Sequence, residues 1–561
     1  MKELSAEAGA AMRTMSWTSR CLLACCLLVC FQLTLVGAAR AAPPAPGAPP
    51  ATGAAPATAA NSPAKAATET PDPEQAYAAV DSFLRDQIQT LGIPSAAIAV
   101  VRDGRQVHSA AFGKADPSGR PMTPQTPVLL ASTSKSLTAI AVMQQVESGR
   151  LRLDEPVRTY LPWFTMDDPR SSNLTVRHLL HQTSGMSSRE TAFEASLDQE
   201  PEALEESVRA LANSPLAAEP GQRFHYASAN YNVLGLLVQA VSNQPFGEYV
   251  RRHVFGPLGM VHSHTTAASA KEDDAAEGYS RWFSAFWVRT DVPAPAAGMP
   301  SSTMYASAED LGRELAALLD GGRYGGARIL EPGSVAEMFQ PRTSVDGAKG
   351  YGMGWYTRPL VEAVDSAGPA APAPAAQDVP LLLEHQGEWG NSHTYLAMVP
   401  ASGLGVALVI NGNDTAAPSR LKAIDTNILR ILHGHSPVPA VVSEDWLQQS
   451  SWAVAVALLA AELLSLWVSL SVLVRRRFAR LGRLGPLAWA AAALALDAFV
   501  LWLCLAYAPA RFDTDLPVII RQFPDVGVSL VPVLGLAILW AVPRTAWLVV
   551  TALSRSPRGL P

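Results

Sequence analysis

Three apolar runs crowd the C-terminal part of the chain, and they rule out a single water-soluble body. Trp452 to Val474 and Leu487 to Ala508 are each long enough to cross a bilayer, and a third run, about 526 to 543, extends toward Leu553. Between the first two lie Arg475, Arg476, Arg477, Arg480 and Arg483. Such clusters stay on the cytoplasmic side of a membrane, so everything before Trp452 is expected outside it and the tail 554–561, with Arg555 and Arg558, inside. Glu462 and Asp497 fall at similar depth in the first two runs. A carboxylate in hydrocarbon is costly, so the two are expected to face each other inside the bundle and share a proton, as a contact between helices rather than a transport path.

The other end of the chain points the same way. Arg13 and Arg20 precede an apolar run from Cys21 to Val36 and a small-x-small site, Ala39-Arg40-Ala41, which together read as a secretory signal peptide over 1–41. Residues 42–73 are nearly all Ala, Pro, Thr and Gly, too poor in apolar bulk to order, and read as a tether. A globular domain is expected over 74–436, then a linker over 437–451, then membrane helices over 452–553. Four of the five cysteines belong to the signal segment and Cys504 to the second apolar run. The exported domain therefore has no disulfide, cysteine metal cluster or cysteine nucleophile.

Within that domain, Glu74 to Leu91 has a helical repeat, and Ile93 to Val101, Asp103-Gly104 and Gln106 to Phe112 read as strand, tight turn and strand. Next comes Ala131-Ser132-Thr133-Ser134-Lys135-Ser136-Leu137, opening a helix that runs to Ser148 and stops at Gly149. A helix starting near Ser132 puts Ser132 and Lys135 on one face, within a turn of each other. A hydroxyl becomes a useful nucleophile when a neighbour takes its proton, and a lysine in a partly dry pocket can assist. This helix is apolar nearly all round, so it should be buried and central.

Thr175 is placed to cap a short helix stopped by Gly185, and His178 and His181 on it have no third partner at a metal-binding offset, so they read as structural. Tyr226 sits where a loop meets a helix, a position from which a phenol facing a cation can act as a base. His385, Gly387 and Glu388 lie between two strand-like runs, where backbone N–H groups could hold an oxyanion. Trp282, Phe283, Phe286 and Trp287 either floor a pocket or cap the core, and Ser366 to Ala376 reads as a surface loop.

In order, Ser132-x-x-Lys135, Tyr226-x-Ser228 and His385-x-Gly387 resemble the three active-site motifs of the serine beta-lactamase and penicillin-binding protein superfamily, and especially its class C-like peptidases and esterases. His178 to Met186, Pro257-Leu258-Gly259-Met260, Tyr351-Gly352-Met353-Gly354-Trp355, Ser302-Thr303 and Ala308-Glu309-Asp310-Leu311 strengthen the likeness, which covers about 75 to 436. The resemblance implies an α+β fold: an antiparallel sheet flanked by helices plus an all-α region, here followed by three transmembrane helices. It implies Ser132 as the acylated nucleophile, Lys135 holding it poised, and Tyr226 shuttling the proton. The backbone N–H groups of Ser132 and Glu388 would form the oxyanion hole, and Ser228 and His385 would orient substrate. No cofactor or metal is implied.

Two departures shift the expectation. Ser228 stands where many relatives have asparagine, and His385 replaces the lysine of many beta-lactamases, so a substrate carboxylate would be held less firmly. Both favour a peptidase or esterase over an antibiotic hydrolase. An exported domain of this type followed by three membrane helices is similar to periplasmic prodrug-activating D-amino peptidases, but Leu129 stands where the D-asparagine-specific members have an acid, so that specificity is not carried over. The expectation is thus a multi-pass protein of a bacterial inner membrane whose periplasmic domain cleaves an amide or ester of a small molecule or peptide. Alternatives are a beta-lactamase or a D-amino peptidase acting on cell-wall or prodrug peptides. A rival of another class is a non-catalytic sensor signalling through the membrane helices. The bilayer is a partner, nucleic acid is not, and protein partners are unknown.

Overall fold

A continuous apolar strand forms only where both faces of a sheet are covered, and Ser95–Arg102 is such a strand. In the computed structural model, which describes residues 72–187, 198–200, 202–360, 380–475, 484–512 and 514–553, it follows helix α1, Pro73–Leu91, and is called β1. Ala97, Ala99 and Val101 face one hydrophobic core, while Ala96, Ile98 and Val100 face another. The Asp103-Gly104 turn has both φ angles positive, 48° and 71°, as a two-residue hairpin needs, and leads into β2, Arg105–Gly113. The expected signal peptide, most of the Ala/Pro tether, the 366–376 loop, arginines 476–483 and the C-terminal tail lie outside the described residues.

The larger core holds the helical region. Helix α2, Ser134–Glu147, is buried nearly all round, and Gly149, at φ 73°, ends it. The helix begins near Ser132 as expected, with Ala131–Thr133 forming a tight 3-10 turn that leads into it. Helices α3, Val176–Leu180, and α4, Ser228–Ser242, pack with α2. Then come a small hairpin, β3, Tyr279–Trp282, and β4, Phe286–Arg289, and helix α5, Ala308–Leu319.

The remaining strands are β5, Thr343–Asp346; β6, Lys349–Tyr351; β7, Tyr356–Pro359; β8, Leu381–Trp389; β9, Ser392–Val399; and β10, Leu404–Ile410. They join β1 and β2 in an eight-stranded antiparallel sheet of order β5-β6-β7-β8-β9-β10-β1-β2. Helix α6, Ser419–Leu432, lies with α1 on the second face, where Leu421, Ile424 and Ile428 fill the smaller core. The result is the α+β arrangement expected, a sheet between two helices on one face and an all-α region on the other.

Three stretches are long and apolar enough to cross a membrane: Ser451–Ser471 in helix α7, Ser451–Arg475; Leu487–Phe512, which starts in α8, Leu484–Trp502, and runs past its end; and Pro524–Val550 in α10, Pro524–Leu553, preceded by the short α9, Leu516–Gln522. The third stretch runs through Pro543 to Val550, longer than the apolar run, and so includes Arg544. That residue adds a cation to the expected pair of acids. Glu462 and Asp497 are both buried, but each is ion-paired with the fully buried Arg544, whose Nη1 also donates to Ser465 Oγ at 2.7 Å. A guanidinium, with donors in a planar fork, ties the two acids together.

The aromatic quartet neither floors the cleft described below nor simply caps the core. Trp287 donates to the Leu91 carbonyl at 2.9 Å, and the backbone N–H of Phe283 donates to Asp525, at the head of α10, at 3.1 Å. The β3–β4 hairpin thus joins the globular part to the membrane helices.

Candidate active site

The turn bearing Ser132 is held from beneath by the sheet. Ala131 has φ 50°, a left-handed conformation that costs a residue with a Cβ about 1–3 kcal/mol. The Leu130 carbonyl accepts from Thr133 Oγ1 at 2.8 Å and Thr394 Oγ1 at 2.6 Å, and the two threonine hydroxyls meet at 3.0 Å. These bonds fix the strained turn against β9. Lys135, one turn on, is fully buried, so its ammonium depends on protein acceptors. Its Nζ donates to Ser132 Oγ at 3.2 Å and to the Ser301 carbonyl at 2.9 Å. Gly354, at φ 80°, lies against the Lys135 backbone: a Cβ there would stand 3.0 Å from the Lys135 carbonyl oxygen, which gives the Tyr351–Trp355 motif its glycine.

Tyr226 arrives from 94 residues away and donates its hydroxyl to Ser132 Oγ at 2.8 Å, with Lys135 Nζ 4.9 Å from its ring centre. Its loop hangs on Gln182, whose Oε1 accepts from the Ala227 N–H at 2.9 Å and from Asn230 Nδ2, while the Gln182 carbonyl accepts from the His225 N–H at 2.7 Å. Gln182 itself has φ 57°. This is what the His178–Met186 stretch does: His178 and Thr175 form a reciprocal cap on α3, His181 Nδ1 lies 3.2 Å from the Tyr351 carbonyl, and Gln182 props the tyrosine.

Strand β8 closes the third side. β7 pairs with it only as far as Glu384, so among the described residues the stretch from His385 to Trp389 is paired by β9 alone. Gly387 sits directly under Leu130, and a Cβ there would overlap the Leu130 carbonyl and the Thr394 hydroxyl. Glu388 and Ser132 both line the cleft, while the Glu388 carboxylate turns to Lys422, 2.9 Å away.

His385 does not fit the expected role of orienting substrate. It is 2% exposed, with Nδ1 2.8 Å from the Gln386 carbonyl and Nε2 3.3 Å from the Tyr351 hydroxyl. A carbonyl only accepts, so Nδ1 carries the proton and Nε2 accepts from Tyr351. Burial, with the Lys135 charge beside it, pushes its pKa down to about 3. It is therefore neutral at pH 7, not partly charged, and packs behind Tyr226 as a buttress.

The cleft has a volume of about 350 Å³ and is lined on one side by Ser132, Ser228, Ser302, Glu388 and Trp389. Its other side comes from Phe512, the last residue of the second apolar span, and from Thr514, Val518, Gln522 and Phe523, which precede the third. Sequence reasoning had no signal for that side. Nor had it one for Ser301, which acts through a backbone carbonyl, although Gln182 lay inside a quoted motif. Leu129 is buried with Ala131, Val292 and Trp389 in a small apolar cluster, so no acid side chain stands at that position.

A hydroxyl in contact with both a buried ammonium and a phenol, beside a strand edge left unpaired among the described residues, is suited to attack on a carbonyl. Comparison with known proteins gives the family. The family model described as Beta-lactamase matches residues 80–427. Protein flp of Staphylococcus aureus strain MW2 is 26% identical over 358 residues, covering 62% of this chain and 66% of its own. The putative penicillin-binding protein PbpX of Bacillus subtilis strain 168 is 30% identical over 277 residues, covering 49% of this chain and 65% of its own. The chain thus spans just under two thirds of the length of these curated relatives. Among solved structures, the octameric penicillin-binding protein homologue from Pyrococcus abyssi matches with a TM-score of 0.54 at 25% identity, over 64% of this chain and 78% of that one. The family match spans all three motifs and ends before α7, so the globular part carries the likeness: the chain belongs to the beta-lactamase family.

Proposed function

We propose that this protein is a membrane-anchored serine hydrolase that cleaves an amide or ester through an acyl-Ser132 intermediate. The observation that carries this reading is the convergence of Tyr226 and Lys135 on one oxygen, Ser132 Oγ, at 2.8 and 3.2 Å. The reactive form of the pair holds one proton fewer, a Tyr226 phenolate beside the Lys135 ammonium, so that as Ser132 Oγ bonds to the substrate carbonyl carbon its proton passes to the Tyr226 oxygen, which hands it to the leaving nitrogen or oxygen when that bond breaks. The backbone N–H groups of Ser132 and Glu388 would receive the negative oxygen that forms on the carbonyl. Water then adds to the acyl carbon, gives a proton to the pair, and releases Ser132. The neutral His385 supplies no charge for a substrate carboxylate, which favours a peptidase or esterase over a beta-lactamase.

The same reading places the globular domain on the periplasmic face of a bacterial inner membrane. The connection between α8 and α10 touches the catalytic cleft, so it shares a side with the globular domain, opposite the arginine-rich link between the first two spans. The positive-inside rule puts that link in the cytoplasm. A fluorophosphonate probe tests the chemistry: labelling at Ser132 in the full-length protein, lost in Ser132→Ala and accompanied by turnover of an amide or ester panel, is the expected result. Absence of both labelling and turnover would instead favour a non-catalytic sensor.

A further inference from the structure

We propose that the connection between the second and third membrane helices is a specificity wall of the catalytic cleft, selecting substrates with an apolar group beside the scissile carbonyl. The proposal rests on the hydrolase reading above and names its substrate class. The second apolar span ends at Phe512 and the third begins at Pro524, so every residue between them lies close to where the chain leaves the bilayer. Phe512, Val518 and Phe523 come from this short stretch, yet they line the same cleft as Ser132 and Glu388.

The stretch is seated rather than draped. The rings of Phe512 and Phe523 pack 4.7 Å apart, and Val518 is 2% exposed. Arg511 is ion-paired with Asp445, ahead of the first membrane helix. Gln522 Oε1 accepts the N–H of Gly390 at 3.1 Å, three residues along β8 and its turn from Gly387. A Cβ at Gly390 would lie 2.6 Å from the Gln522 carbonyl oxygen, so the two backbones are in contact. The wall is therefore tied to the strand that carries the Glu388 N–H.

A second observation points to a ligand. Gln522 is 7% exposed and its Nε2 has no hydrogen-bond partner among the described residues. A buried amide donor left unpaired is disfavoured, and because this one is closed off from the cleft, a polar substrate atom satisfies it once the Gln522 side chain turns toward the bound molecule. Aromatic and aliphatic side chains with one such donor are the usual makeup of a site for a molecule that is mostly apolar. Because this wall joins two membrane spans, an amphiphilic amide or ester can reach Ser132 while its apolar part stays at the lipid surface.

The test uses the full-length protein in lipid nanodiscs and two pairs of esters. p-Nitrophenyl octanoate against acetate places the apolar group on the acyl side, and 1-naphthyl against phenyl acetate places it on the leaving side. In Phe512→Ala, and in Gln522→Glu, which keeps an acceptor for Gly390 but sets a carboxylate in the wall, at least one of the two kcat/KM ratios falls about tenfold. Both ratios unchanged in both variants, with esterase activity still lost in Ser132→Ala, overturns the wall and leaves the hydrolase standing. A wild-type protein that turns over none of the four esters overturns both.

Discussion

Gly387 on β8 lies against the carbonyl oxygen of Leu130, two residues before Ser132, with no room for a side chain between them. The nucleophile turn and the strand edge are therefore set at a distance that only glycine permits. Gly387→Ala is expected to push the turn outward. Overpacking of this kind costs about 1–3 kcal/mol, and a displacement near 1 Å at a reacting atom costs about 100-fold in rate. Thermal unfolding and the rate of fluorophosphonate labelling at Ser132 measure the two effects. Unchanged labelling would show that the contact does not position the turn.

Tyr226→Phe keeps the ring packed against Phe224 and His385 and removes only the hydroxyl on Ser132 Oγ. Positioned proton transfer contributes about 10²–10⁴-fold to such reactions, so kcat/KM on a reactive ester should fall within that range while the melting temperature stays near the wild-type value. A fall under threefold would move the proton-transfer role to Lys135 alone.

Glu314, on α5, is fully buried, and burial raises its carboxyl to about 8 from an ordinary value of 4.5. Between those two values the folded protein holds a proton there that the unfolded chain releases. Rising pH therefore removes stability through this group, at no more than about 1.4 kcal/mol per unit. Urea titrations at intervals from pH 5 to 8 should show a flatter profile in Glu314→Gln than in the wild type. Parallel profiles would mean that the carboxylate is ionised in the folded state.

Arg544→Met leaves Glu462 and Asp497 facing each other with no cation between them. Breaking a buried ion pair by removing one partner costs about 3–5 kcal/mol, and the loss should appear as a lower melting temperature in nanodiscs, read by tryptophan fluorescence. Adding Glu462→Gln and Asp497→Asn should restore most of it. If the triple variant melts no higher than the single one, the triad is not an electrostatic unit.

Periodicity and turn chemistry act over a few residues, and what depends on them was legible. The Asp103-Gly104 hairpin, the strand run before it, the helix ended by Gly149 and three apolar spans all follow from local pattern. So does the placement of Ser132 and Lys135 within one turn, and the ordered motifs with Tyr226 and Gly387 point to one family fold. The sequence alone determined which side chains are candidates for the chemistry and which segments are long and apolar enough to cross a membrane.

Tertiary structure decided the rest, because it turns on contacts between residues far apart in the chain, for which no local pattern exists. Burial beside Lys135 makes His385 neutral and turns it from a substrate ligand into a support for Tyr226. Three helices must come together before Arg544 can sit between Glu462 and Asp497. Phe512, Val518, Gln522 and Phe523 carry no local signal between the second and third apolar runs, and only the docking of β8 on that connection brings them into the cleft with Ser132.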